Sequence, residues 1–155
     1  MAAGDYQVSL QHGLPRTIAA VRARLPVQRV KFVFRDYLDQ VYAAGRAGSV
    51  ALDGQNVFVY QRVPDQADDA DVAFGVGTRG PFAPVGDVQP VDLPVGEVAM
   101  TTHWGDYSGL AAAHSAVIEW CRSQGHRLSG TRWEVYGHWT DDPSKLRTDV
   151  YYLLA

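Results

Sequence analysis

Gly54-Gln-Asn-Val-Phe-Val-Tyr60 and Gly130-Thr-Arg-Trp-Glu-Val-Tyr136 are two copies of one pattern, 76 residues apart. Two further pairs follow the same order. Asp71-Val-Ala-Phe74 matches Asp149-Val-Tyr-Tyr152 at a spacing of 78, and Leu14-Pro-Arg-Thr-Ile-Ala-Ala-Val21 matches Leu93-Pro-Val-Gly-Glu-Val-Ala-Met100 at about 80. Each pair alone is weak. Three in one order indicate a duplicated unit whose copies differ by small loop insertions.

Local pattern supplies the elements of one unit. Residues 16–24 and 96–103 are extended and rich in Ile, Val, Ala and Thr. A helix follows each. In the first copy Pro26 suits a first helical turn, where its missing N–H costs nothing. Val30, Val33, Phe34, Tyr37, Leu38 and Val41 then recur at three- and four-residue steps, with Gly45 as the expected C-cap. In the second copy Asp106 is the expected N-cap, Leu110, Ala113, Val117, Trp120 and Cys121 form the apolar stripe, and Gly125 is the stop. Strands are expected at 56–62 and 68–76, and again at 132–139 and 148–154, with short strands at 6–10 and 88–91 opening the copies. The expected fold is α+β: a tandem pseudo-two-fold repeat of strand–helix–strand–strand units, with antiparallel sheets, helices on one face and a ligand groove on the other. Repeat one spans about 5–77, the connector about 78–86 and repeat two about 87–155 of a single domain.

Inside the glycine-rich stretch 75–86, Gly75-Val-Gly-Thr-Arg-Gly80 matches the dinucleotide pattern G-x-G-x-x-G. That motif works only where a helix opens on it and points its N-terminus at a pyrophosphate. Pro81-Phe-Ala-Pro84 follows instead, so a loop is the better reading.

Composition narrows the partners. A net charge of −3 without a basic run argues against direct nucleic-acid binding. The single cysteine, Cys121, is the pattern of a reducing compartment. Residues 1–10 lack the basic and apolar regions of a signal peptide, and no apolar run approaches the roughly 18 residues needed to span a bilayer. A cytoplasmic location without membrane attachment is expected, as a monomer or weak dimer.

Strand alternation then sorts side chains onto faces. In 132–139, Trp133, Val135, Gly137 and Trp139 share one side, and Arg132, Glu134, Tyr136 and His138 the other. The apolar side is expected to meet the helix, leaving Glu134 and Tyr136 on the open face. By the same rule Val57 and Val59 point inward, while Phe58 and Tyr60 face the opening. Val72, Phe74 and Val76, like Val150, Tyr152 and Leu154, are expected on the core side. Ala73 and Gly75, with Tyr151 in the second copy, lie opposite and leave room for a ligand against the sheet. The copies differ most where Phe58 in the first becomes Glu134 in the second. One carboxylate among Phe58, Tyr60, Tyr136 and Tyr151, with Trp104 and Tyr107 nearby, suits a flat aromatic cation. Desolvation is expected to raise the Glu134 pKa in the empty site. The plainer readings are that Glu134 is solvated or paired with Arg132 or Arg147, and that the tyrosines are packing residues. Trp104, Tyr107 and Trp120 are core or rim residues on spacing alone.

The second half resembles the gyrase-inhibitor-like (GyrI-like) effector-binding family. The resemblance rests on Val98-Ala-Met-Thr-Thr-His-Trp-Gly-Asp-Tyr107, the helix through Trp120 to Gly125, Gly130-Thr-Arg-Trp-Glu-Val-Tyr136, and Thr148-Asp-Val-Tyr-Tyr152. It implies two fused strand–helix–strand–strand units forming a groove for bulky aromatic drugs and dyes. It also implies that Glu134 is the counter-charge for cations and Tyr136 its aromatic neighbour. The family's closing Glu is Asp149 here, and the proline that often follows it is Leu153, which leaves the role of Tyr151 open. The chain resembles stand-alone members without a DNA-binding domain, which sequester compounds or work through a separate protein partner.

The expected function is therefore multidrug-type binding without a cofactor. Two alternatives use the same residues or family. One is a hydrolase of cyclopropane-bearing DNA-alkylating natural products, with Glu134 and Tyr136 catalytic. The other is a gyrase-modulating inhibitor acting by protein contact. His12, His103, His114, His126 and His138 show no metal-ligand spacing and are read as structural, as is Cys121 on its apolar stripe. Ser115 beside His114 has no nucleophile-elbow sequence around it. The acidic loop of Asp65, Asp68, Asp69 and Asp71 lacks calcium-loop spacing.

Overall fold

A computed structural model describes residues 6–155. The elements run β1 (Ser9–His12), β2 (Thr17–Pro26), α1 (Val30–Arg46), β3 (Leu52–Arg62), β4 (Asp69–Thr78), β5 (Gln89–Asp92), β6 (Glu97–Trp104), α2 (Leu110–Gln124), β7 (Leu128–Tyr136) and β8 (Arg147–Leu154). The chain divides into two compact units, one of residues 15–93 and one of residues 6–14 with 94–155. Each is an antiparallel sheet with one helix packed on it, the α+β repeat that the duplicated motif predicts.

In the unit of residues 15–93 the strands lie in the order β3-β4-β2-β5, and α1 packs over β2 and β4. In the other unit the order is β1-β6-β8-β7, with α2 over β6 and β8. The short opening strands are exchanged. β1 precedes the first copy in sequence but pairs with β6, and β5 precedes the second copy but pairs with β2.

The glycines that open the two quoted motifs have the same structural task. Gly54 (φ 83°) and Gly130 (φ 99°) both sit where the ladder shifts register, between Leu52 and Asn56 in β3 and between Leu128 and Arg132 in β7. Such a bulge needs left-handed backbone that a side chain disfavours. A Cβ added at Gly54 would meet nothing within 4 Å, so its cost is that of the backbone alone. Gly54→Ala is expected to destabilise the protein by about 1 kcal/mol. A urea unfolding midpoint unchanged from wild type would contradict this.

The helix boundaries differ from expectation in the first copy. Pro26 ends β2 and precedes a single 3-10 turn, Val27–Arg29, rather than opening the helix. Gly45 is inside α1, not its cap. A Cβ there would lie 2.6 Å from Leu52 Cδ1, so this glycine lets β3 approach the helix. The chain turns at Gly48, where Gly48 N–H donates to Gly45 O and Ser49 N–H to Ala44 O. In the second copy Asp106 caps the 3-10 turn Tyr107–Gly109 that leads into α2, its carboxylate accepting from Ser108 N–H at 3.2 Å, and Gly125 is the left-handed stop (φ 76°).

The G-x-G-x-x-G stretch forms no helix: Gly75 and Gly77 lie within β4. The room expected beside Gly75 is filled, because a Cβ there would meet Ile18 Cδ1 at 2.6 Å and Ala20 Cβ at 3.0 Å. At Gly77 the Arg16–Asp53 ion pair occupies the space.

Candidate functional site

Glu134 lies two residues before the end of β7 and is 5% exposed. Its neighbours correct the face assigned from alternation. Register pairs Arg132 with Tyr152, Glu134 with Val150 and Tyr136 with Thr148, so these residues share a face. On that face Val150 and Tyr152 pack with Ala113, Ala116, Val117 and Cys121 of α2. Glu134 and Tyr136 therefore face the helix. Trp133 lies on the opposite face, stacked on Tyr151 with ring centroids 5.5 Å apart and planes at 12°.

The same inversion occurs in the first copy. Phe58 packs on Phe34 of α1 (5.9 Å) and edge-on to Phe74 (5.2 Å), so it belongs to the helix-side core of its unit. Tyr60 pairs with Val72, two residues from Phe74 on that same face. The reason is that in β3 and β7 side chains of both faces are buried. Val57, Phe58, Val59 and Tyr60 are all buried, as are Trp133, Glu134 and Val135. Polarity then carries no information about which side meets the helix. In β4 and β8, Val72, Phe74, Val76, Val150 and Tyr152 are on the core side, as predicted.

Four side chains form one hydrogen-bonded chain around the carboxylate. Tyr136 O–H donates to Glu134 Oε1 at 2.6 Å, and His114 Nε2 lies 2.7 Å from Glu134 Oε2. A carboxylate only accepts, so Nε2 carries the proton. His114 Nδ1 lies 2.7 Å from the Tyr152 hydroxyl. Tyr107, in the turn before α2, sets its ring edge-on to Tyr136 at 5.8 Å. Burial pushes the Glu134 carboxyl up, but the hydrogen bond and charge of His114, the Tyr136 hydrogen bond and the field of Arg132 outweigh it. The net direction is downward, opposite to the rise expected from desolvation alone. Tyr152 moves the other way, pushed up to about 12 by burial, with Glu134's charge adding and Arg132 opposing.

A lowered folded-state pKa ties Glu134 to acid stability. Its contribution is fully present above the unfolded-state value of roughly 4.3 and is lost as pH falls through the lower folded value. The stability difference between wild type and Glu134→Gln is therefore expected to move against wild type as pH drops from about 5 to about 3. Urea denaturation at both ends checks this, and a difference that does not change would show that the carboxyl is not held ionised.

Tyr136 and Tyr107 thus join Glu134, whereas Tyr151 and Trp104 lie on the other face of the same sheet. Trp104 is half-exposed beneath Arg147, whose guanidinium sits 5.6 Å from the ring centroid and also pairs with Asp149. Arg147 is thus not the partner of Glu134. His114 is the site residue that the sequence reading treated as structural. It lies four residues after Leu110 and three before Val117, on the edge of the apolar stripe. A polar ring there needs a buried partner, and that is the signal which could have identified it.

Thr148 Oγ1, between His103 and Tyr136 in the register, is fully buried and has no hydrogen-bond partner among the described residues. Hollows of about 450 Å³ by Glu97, His126 and Arg127, and of about 440 Å³ by Arg22, Tyr37 and Asp87, do not reach Glu134, which is closed over. Among the described residues no group of three or more His, Cys, Asp or Glu side chains could hold a metal ion. Among the described residues no helix is long and apolar enough to cross a membrane.

Comparison with solved structures gives the same fold at low identity. The EcmrR C-terminal domain superposes with a TM-score of 0.77 at 17% identity, over 97% of this chain and 98% of that one. SAV2435 bound to tetraphenylphosphonium gives 0.65 at 10%, over 96% and 94%. A hydrolase from Listeria innocua gives 0.58 at 11%, over 96% and 92%. At such identities the likeness is one of fold. No curated protein matches the chain closely enough to carry an argument. The GyrI-like small molecule binding domain model matches residues 7–154, nearly the whole sequence, and with the paired strand–helix units this places the chain in the GyrI-like small molecule binding domain family.

Proposed function

We propose that this domain binds bulky aromatic cations, with Glu134 as the counter-charge and Tyr136 and Tyr107 as ring contacts. The observation that carries the reading is a carboxylate 5% exposed yet held below its ordinary pKa range, on a face that also carries tyrosine rings. His114 and Tyr136 hold the carboxylate ionised in the closed site, and ring faces attract cations, so an aromatic cation that reaches it meets both a full negative charge and stacking surface. The fold relative SAV2435, whose structure holds tetraphenylphosphonium, supports this ligand class.

The test is a binding titration with tetraphenylphosphonium and with triphenylphosphine oxide, a neutral molecule of related shape, on wild type and Glu134→Gln. Preference for the cation, lost in the variant, supports the reading. Equal affinity for both compounds in both proteins would refute it.

A second reading keeps the site but makes it catalytic. The 2.6 Å hydrogen bond between Tyr136 and Glu134 sets a carboxylate general base beside a phenol, whose one proton would have to turn from Glu134 to polarise a substrate carbonyl. Formation of a ring-opened product from a cyclopropane-bearing substrate, abolished in Glu134→Gln, would favour the hydrolase over the binding protein.

A further inference from the structure

The carboxylate that would meet a cation already has a neighbour able to carry positive charge. His114 projects from α2 onto Glu134, and its far nitrogen meets a hydroxyl rather than a fixed donor or acceptor. That hydroxyl decides what the ring can do. With the imidazole neutral, Tyr152 O–H donates to Nδ1. With it protonated, Nδ1–H donates to the Tyr152 oxygen. Both states keep every hydrogen bond of the chain Tyr152–His114–Glu134–Tyr136. Protonation therefore costs the ring no hydrogen-bond partner, because the Tyr152 hydroxyl can turn from donor to acceptor.

The two states differ in charge. The pair carries one negative charge when the ring is neutral and none when it is an imidazolium. Tyr152, pushed up to about 12, stays a neutral dipole in both. The other groups facing His114 do not change this. From β7 come Glu134, Tyr136 and Arg132. From β8 come Tyr152 and the neutral Thr148. From β6 comes His103, which is engaged by the Tyr6 hydroxyl and the Asp106 carbonyl instead of by Glu134. From α2 itself comes the Cys121 thiol, which burial pushes up.

The geometry points to His114 as the resident counter-ion of Glu134: an aromatic cation entering this site displaces the imidazolium proton, and the domain exchanges one proton for one bound cation. This deepens the counter-charge reading of Glu134 and rests on it. The balance is simple. The imidazolium gives its Nδ1 proton to solvent, Tyr152 turns its hydroxyl to donate to the freed nitrogen, and the negative charge left on the pair is neutralised by the guest.

The experiment is calorimetric titration of the whole protein with tetraphenylphosphonium, which has no proton of its own, in buffers of different ionisation enthalpy across about pH 5 to 8. Proton release per bound cation is expected to approach one at the acid end and vanish at the alkaline end. Affinity is expected to fall by up to about tenfold per pH unit on the acid side. Triphenylphosphine oxide should bind without linked protons. His114→Gln, whose amide can donate to Glu134 and accept from Tyr152, should bind the cation with a flat pH profile, while His103→Gln should keep the release.

Cation binding that depends on Glu134 but releases no proton at any pH overturns the exchange and leaves the counter-charge reading standing. So does release that survives in His114→Gln. No preference for the cation, or indifference to Glu134→Gln, removes the counter-charge reading itself. Should His114→Gln fail to fold, the imidazole NMR signals of wild type decide: one histidine must need a lower pH to become protonated when the cation is saturating, and no such movement overturns the proposal.

Discussion

Glu134→Gln is expected to weaken binding of an aromatic cation by roughly 2–4 kcal/mol, about thirtyfold to nearly a thousandfold, while changing the affinity of a neutral analogue less than about threefold. The size follows from burial. An exposed carboxylate contributes at most about 1 kcal/mol to an ion pair, because water screens it and competes for it. Glu134 is closed off from water, and its two hydrogen-bond donors, His114 and Tyr136, hold it ionised. Glutamine has nearly the same shape and keeps an oxygen for one of those donors, so packing changes little and the loss reads the charge. A smaller effect, confined to less than about threefold for the cation, would place the ligand elsewhere.

The second large effect concerns stability rather than binding. Phe74 is fully buried in β4, stacked on Tyr37 of α1 at 4.8 Å and touched edge-on by Phe58 at 5.2 Å. It joins the helix to the central strand of its unit. Phe74→Ala removes a ring that neither neighbour can replace, since Tyr37 is fixed by its helix and Phe58 already fills its own place against Phe34. The expected cost is about 3–5 kcal/mol, from lost transfer energy and the cavity left behind. For a chain of this size that corresponds to a fall of roughly 8–15 °C in Tm. Thermal unfolding followed by circular dichroism measures it, and a fall of only a few degrees would mean that the core collapses around the missing ring.

These two expectations sit in different units, and the duplicated sequence explains why. At the motif position where one copy has Phe58 the other has Glu134. Both face their helix. The phenylalanine completes an aromatic core, and the carboxylate requires polar partners, which α2 supplies with His114 and β7 with Tyr136. One copy therefore packs through aromatic rings, and the other carries the buried charge.

Much of this was written in local sequence. The paired glycines mark two bulges, Gly125 ends a helix, and period-two alternation correctly groups Arg132, Glu134 and Tyr136 on one face. These features depend on backbone conformation and the pleat, which a few neighbouring residues set. The side of the sheet that meets a helix is different in kind. It depends on the path the chain takes after the strand, and when both faces are buried hydrophobicity gives no vote. Only the tertiary structure could turn Glu134 toward α2. The same fold brought His114, twenty residues earlier, within 2.7 Å of it and made a buried acid an ion pair instead of a lone charge.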